Sequence, residues 1–464
     1  MMMHTTADQI VYAEVPIPDY EPVTLITELP EDVYRARLEA ACARMAVEGL
    51  DALAIYGDRE HFSNFEYLCG FDPRFEEALL IVHRSGECFC LLGNECYPLA
   101  SISKIPLRRV LFQPFSLPGQ PISDAWDFAA ALANAGLKSG MRVGLVDWKL
   151  FPKCMGRQFG APSFIANALC ACVGDENLVN ATGLLINPEN GLRIVGEWEQ
   201  AVAYESSAAL ISQGMLRALD AVEPGKTELE IGAYFNPCAL PVTSHANVSS
   251  GARTRVGLIS PTNKVIERGD RMTMCWSIRG ALSCRSFYVA ESEADLPEKG
   301  RDYIDCIVKP YYASIVNFYE NIGIGVTGGE LHEVVTRDFP QEQFGWTLNP
   351  GHLLGSEEWL CSPVWKDSPI RFCSGQFVQV DFIPGPKEPY FGSNVEDGIL
   401  IADEALREKI RRNSPDTWRR IERRRRFMAD TLGIRLKDEV LPLYDGQGLL
   451  RPFVLNRSFA MRKR

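Results

Sequence analysis

Four things are missing from this sequence: a Cys-x-x-Cys pair, a zinc-finger spacing, an apolar run long enough to cross a bilayer and an excess of basic charge. The first two leave its 14 cysteines without a recognisable metal or disulfide framework. Cys88/Cys90 and Cys170/Cys172 are Cys-x-Cys pairs, which on strands would share a face without bonding. No secretory leader pattern is visible over Met1–Pro18, so the cysteines are expected as reduced thiols of a cytoplasmic protein. The third absence argues against a membrane partner. The fourth, a formal net charge of −12, argues against general binding of nucleic acid. What is present is ordinary: 46% apolar and 23% charged residues over 464 positions, enough for two domains with sizeable cores.

Residues 1–30 carry a cluster of prolines and no period, and read as an arm lying on another surface. Residues 31–190 form a first α/β domain. Its helix opens at Pro30-Glu-Asp and buries Tyr34, Leu38, Ala41, Met45 and Leu50. Strands are expected at Ala52–Tyr56, Ala78–Val82, Cys88–Leu92 and Arg142–Val146, with a helix over 124–135. A second domain, 191–405, begins with a long helix over 196–222. In it Thr227-Glu-Leu-Glu230 has capping-box spacing, and about a hundred residues later Thr327 precedes Glu330-Leu-His-Glu-Val334 in the same order. That echo predicts two similar α/β halves. Residues 406–464 are read as a basic tail: a loop, then an amphipathic helix around Trp418, Ile421 and Met428 with a solvated or interface face.

The chain is organised around 269–396. A strand over Asp270–Ser277 turns at Arg279-Gly280 and returns over Leu282–Val289. Pro350-Gly-His-Leu-Leu-Gly355, Val378–Phe382 and Asn394-Val-Glu-Asp-Gly398 follow. His352, Asp381 and Glu396 are polar residues in apolar settings, and buried groups of that kind need partners, so a shared pocket is predicted.

These segments resemble the creatinase, aminopeptidase P and prolidase family. The resemblance rests on the domain order, the Gly269-Asp270 strand, Gly351-His-Leu-Leu-Gly355 and Val395-Glu-Asp-Gly-Ile-Leu-Ile401. It implies a creatinase-like α/β domain followed by a pita-bread catalytic domain with an internal pseudo-two-fold repeat. It also implies that Phe71 and Arg74, in Gly70–Glu77, bind substrate in a partner subunit's pocket, and hence a homodimer. The family's five metal-binding positions fall on Cys275, Ser286, His352, Asp381 and Glu396. Two carboxylates are therefore missing, and a dinuclear site of hard cations is not expected. The family's substrate-facing histidine falls on Leu258, the later histidine of its His-Glu pair on Trp359, and the Glu retained by creatinase on Tyr288.

Three readings follow. In the first, a metal-free hydrolase cleaves a C–N bond of a small zwitterionic amide, guanidino or amino-acid-derived substrate. His352, Glu396, Asp381 and His245 serve catalysis, while Phe71, Arg74, Tyr288, Arg285 and Glu358 bind substrate. Arg279 or Arg285 faces its carboxylate. In the second, one divalent metal is held by Cys275, His352, Asp381 and Glu396. In the third, the fold is kept for binding or regulation and catalysis is lost. Cys275 and Cys284 are read as inert buried thiols rather than nucleophiles, and His61 and His83 as structural.

Overall fold

The computed structural model describes residues 2–123, 126–235 and 240–464. Its contacts divide the chain into two compact units, Glu28–Ile194 and a larger one joining Met1–Thr27 to Val195–Arg464. Residues 1–27 of the arm and the 406–464 tail thus cluster with residues 195–405, while 28–30 and 191–194 fall in the smaller unit. In chain order the first strands are β1 (Ile10–Glu14), β2 (Ala52–Gly57), β3 (Ala78–His83), β4 (Cys88–Leu92), β5 (Arg108–Leu111), β6 (Val143–Val146) and β7 (Leu178–Asn180). Those of the larger unit continue with β8 (Asn247–Ser250), β9 (Arg271–Ile278), β10 (Ala281–Tyr288), β11 (His352–Leu353) and β12 (Phe377–Gln379). They end with β13 (Asn394–Glu396), β14 (Gly398–Ile401), β15 (Val440–Pro442) and β16 (Phe459–Lys463).

In the smaller unit, β5-β4-β3-β2-β6-β7 form one mixed sheet whose apolar runs are buried on both faces. The helix Glu31–Glu48 buries Val33, Tyr34, Arg37, Ala41 and Met45, and stops where Gly49 takes φ 68°. Leu38 is only half-buried. The helix expected over 124–135 is seen at Phe128–Asn134, capped by Asp127, and residues 124 and 125 lie outside those described. Cys170 and Cys172 sit in the helix Ser163–Val173, not on a strand, so they share no face. Among the described residues no cysteine forms a disulfide.

The larger unit carries an antiparallel sheet, β13-β10-β9-β8, and a second, β11-β12-β14-β15. The β9–β10 hairpin pairs Ile278 with Ala281 through the two-residue turn Arg279-Gly280. Gly280 is required there: its φ is 76°, and a Cβ would meet the Tyr204 ring at 2.1 Å. The helix Trp198–Ala221 packs its apolar residues on Met274, Trp276 and Phe287 of this hairpin. Both capping boxes form. The Thr227 and Thr327 hydroxyls accept from the amides of Glu230 and Glu330, whose carboxylates accept in return. A π-turn at Ile304–Val308 leads into the helix Lys309–Asn321, where Pro310 lacks the N–H that a regular ladder needs.

Two expectations for the chain ends change. The segment after Ile401 is not a loop but the helix Glu404–Asn413, capped by Asp403. The basic helix that follows, Pro415–Arg426, is not a solvated face. Arg420 and Arg424 are buried on Glu205, and Arg424 also meets Asp445 at 2.9 Å. The arm pairs its β1 with β16, and Asn317 binds the Thr5 backbone. Both ends are therefore used inside their own unit.

Candidate active site

The register of the hairpin builds the site. Cys284 of β10 stands opposite both Cys275 of β9 and Glu396 of β13, while Ser286 stands opposite Thr273 and Asn394. Alternation along a strand then puts Cys284, Ser286, Glu396 and Asn394 on one face, with Arg271, Thr273 and Cys275 beside them. From the second sheet, His352 pairs with Gln379, and Asp381 lies two residues beyond β12.

His352, Asp381 and Glu396 converge: each places a ligand atom within 4.8 Å of the others, and all three are buried. His352 Nδ1 lies 3.1 Å from its neighbour's carbonyl, Leu353 O, leaving Nε2 buried without a hydrogen-bond partner, 4.0 Å from Asp381 Oδ2. Asp381 Oδ1 is equally orphaned. Glu396 accepts long bonds from Asn394 (3.3 Å) and Gln379 (3.5 Å), and Asn394 is itself held by Tyr311. Trp359 stacks on His352 with ring centroids 4.2 Å apart.

Burial dominates the electrostatics. It pulls the His352 imidazole down to about 4. It pushes Asp381 up to about 7, with the Glu358 charge adding to the rise. Glu396 is raised well above the usual carboxylate range by burial and then by Asp381. Glu358, only half-buried, is raised by burial alone. Three carboxyls and a neutral histidine thus share one region, and among the described residues no lysine or arginine pairs with Glu396, Asp381 or Glu358.

A cavity of about 570 Å³ opens on the same face, lined by Arg255, Arg271, Thr273, Cys284, Ser286 and Asn394 and by residues 383–386, 388 and 390–393. Leu258, at the position of the family's histidine, also lines it. Cys284 and Asn394, which line its wall, also touch Glu396 through register and hydrogen bond. The family's two-metal arrangement does not fit. At the two further positions where the resemblance implies carboxylates stand Cys275, outside the convergent group, and Ser286, which is spent on Thr273 at 3.1 Å. One divalent cation does fit the three convergent residues, because a histidine nitrogen and a carboxylate oxygen there lack any other partner.

Several expected roles are corrected. Cys275 does not belong to the convergent group; a hydrogen bond with Cys284 and burial hold its thiol protonated. Arg285 does not face the cavity. Its parity puts it on the opposite face, where it pairs with Asp397 at 2.8 and 3.0 Å. Arg279 sits in the hairpin turn. Tyr288 is enclosed edge-on by Tyr303 and Phe391, at 4.9 and 6.0 Å. His245 is exposed, precedes β8 and is not in the convergent group. Phe71 is wholly buried in the smaller unit against Phe65, out of reach of any neighbour. Arg74 lies over the Phe62 ring at 5.2 Å. His61 and His83 have structural partners, Asp58 and the Ala135 carbonyl. Arg255, Arg271 and Glu388 were not foreseen, although Arg271-x-Thr273-x-Cys275 alternation already places Arg271 on the site's face.

No family model matches the chain, and no curated protein matches it. Solved structures do. The prolidase of Pyrococcus horikoshii OT3 is 17% identical with a TM-score of 0.60, over 79% of this chain and 95% of that one. Dipeptidase PepE of Mycobacterium ulcerans is 17% identical with a TM-score of 0.62, over 81% and 95%. A His243Ala form of Escherichia coli aminopeptidase P is 13% identical with a TM-score of 0.57, over 81% and 94%.

Proposed function

We propose that this chain, which shares the two-domain pita-bread fold of those prolidases, dipeptidases and aminopeptidase P, is a hydrolase of a C–N bond in a small amino-acid-derived substrate that works with one divalent cation. The observation that carries the reading is the group His352, Asp381 and Glu396, with one nitrogen and one oxygen buried and unpaired. Leaving such atoms unmet costs about 1–3 kcal/mol each, so a fold that keeps them points to a ligand. The metal-free alternative is weaker, because it leaves the His352 nitrogen and the Asp381 oxygen without a ligand.

When bound, the cation supplies Lewis-acid polarisation and an activated water. The chain's own residues do the rest. His352 Nε2 is held toward Asp381 by the bond its Nδ1 makes and by the Trp359 ring stacked on it, which also keeps water off that face. Asn394 orients Glu396. Glu358, the half-buried carboxyl of the set, is suited to take a proton from the attacking water and return it to the leaving nitrogen, since burial raises it above the ordinary carboxylate value. A homodimer in the cytoplasm remains part of the reading, on the family resemblance alone. The arm and tail no longer support it.

One observation favours a second reading. Leu258 and Trp359 stand where the resemblance implies the two histidines flanking the site, as in a binding protein that has lost turnover. The test is to incubate the protein, with and without Mn²⁺, Co²⁺ or Zn²⁺, with dipeptides, including Xaa-Pro, and with guanidino acids, and to follow products by mass spectrometry. Cation-dependent release lost at least 100-fold in His352→Ala is expected. Binding without product under every cation would leave the second reading.

A further inference from the structure

The cavity's mouth holds a charge arrangement that the function proposed above does not use. Arg271 grips Glu388 with both guanidinium nitrogens, Nη1 to Oε1 at 2.8 Å and Nη2 to Oε2 at 2.6 Å. Arg255 donates to the same Oε1 at 2.6 Å. All three residues line the cavity. Two cations on one carboxylate leave a net positive charge, the reverse of the carboxyl group that lies behind the wall residues Cys284 and Asn394. Glu388 belongs to the 383–393 segment forming the opposite wall, and its side chain is 56% exposed, while that of Arg271 is 18% exposed. The less exposed partner is thus the arginine, and the replaceable one is the carboxylate.

Position along the sheet gives the arginine its purpose. Arg271, Thr273 and Cys275 alternate on the face that carries the site, and Cys275 shares its register row with Cys284 and Glu396. Arg271 lies four positions along β9 from the row of Cys275, Cys284 and Glu396, roughly 13 Å before either side chain reaches inward. That spacing suits a compound of about dipeptide size lying in the cavity. Its carboxylate would lie at the arginines and its other end toward Cys284 and Asn394, the wall residues nearest Glu396. A bidentate arginine–carboxylate pair is the geometry guanidinium recognises best.

We propose that Arg271 and Arg255 are the carboxylate-recognition subsite, and that Glu388 is a built-in competitor which fills it until a ligand's carboxylate takes its place. The proposal names the anionic end of the substrate class put forward above and rests on that reading for what happens at the other end. Glu388 sets specificity in two ways: it keeps the arginines paired in the unliganded protein, and it rejects ligands with no carboxylate to offer in exchange. Neutral analogues would leave Arg271 with its internal partner and gain nothing. Because Glu388 is held by two arginines at once, ligand binding breaks three charge-assisted contacts and must remake them, so affinity depends steeply on the ligand's charge.

Calorimetric titration of alanyl-proline and its C-terminal amide against the full chain, with no turnover required, tests this. In Glu388→Gln the acid should bind at least tenfold more tightly than in wild type while the amide is unchanged. In Arg271→Gln the acid's advantage over the amide should disappear. Arg255→Gln, an exposed change that spares the fold, should reduce that advantage severalfold. Equal affinity for acid and amide in wild type and in Glu388→Gln, or no carboxylate-dependent binding in either, overturns the proposal. Failure of the catalytic reading looks different: tight, carboxylate-dependent binding of the acid to Glu388→Gln with no product under any cation. Turnover that is equal for acid and amide and unaffected by Arg271→Gln would instead leave the hydrolase and remove the subsite.

Discussion

Glu396 and Asp397 are neighbours in the chain, equally buried, and stand on opposite faces of the same sheet. On the Asp397 face, Arg285 donates to both carboxylate oxygens, Ser283 donates at 2.9 Å and the Gly448 amide at 3.3 Å. On the Glu396 face there are two further carboxyls and a histidine, and among the described residues no arginine or lysine pairs with any of these three carboxyls. The same strand pair thus carries a balanced polar cluster and an unbalanced one, a few ångströms of backbone apart. Balanced burial is what a structural ion pair requires; unbalanced burial is stable only if protonation or a cation from outside completes it. The difference separates scaffold from site without appeal to any relative.

The largest effect should come from unbalancing the balanced face. Arg285→Ala strands Asp397 in the interior and is expected to cost about 3–5 kcal/mol, measured by denaturant unfolding. A loss below about 1 kcal/mol would mean that the two faces do not differ as described.

A smaller effect distinguishes the other face by its pH dependence. Asp381 is held up to about 7 in the folded chain, against an ordinary value near 4. Folding therefore favours its protonated form. That contribution is complete below about pH 4 and is lost as pH rises through about 7. In chelator, wild type should lose up to a few kcal/mol over that window, at ~1.4 kcal/mol per pKa unit, and Asp381→Asn should flatten the slope. Denaturant midpoints collected across the window decide it, and identical slopes in the two proteins would sink the idea.

Much of this was legible in the residues. His352, Asp381 and Glu396 stood out as polar side chains in apolar runs, and the hairpin was marked by Arg279-Gly280. The capping boxes were visible as spacing alone. Arg285 was misplaced because its charge outweighed its parity: it alternates with Cys284 and Ser286, so it had to face away from them. The same alternation would have found Arg271. The tail was different in kind. Glu205, which holds Arg420 and Arg424, lies more than two hundred positions away, and no local pattern connects them. His245 is placed by its sequence on the strand leading into the site, but it precedes β8 and is exposed, and a histidine just ahead of a strand carries no signal that separates it from one inside a site.

The central claim is that the unbalanced face is completed by one cation. Equilibrium dialysis of the chelator-stripped protein against Mn²⁺, Co²⁺ or Zn²⁺, followed by elemental analysis, addresses it directly. One ion per chain is predicted, lost in Glu396→Gln and in His352→Ala and retained in Cys275→Ala. Two ions per chain, none with any of the three metals, or a single ion lost with Cys275 and kept without Glu396 would contradict the account.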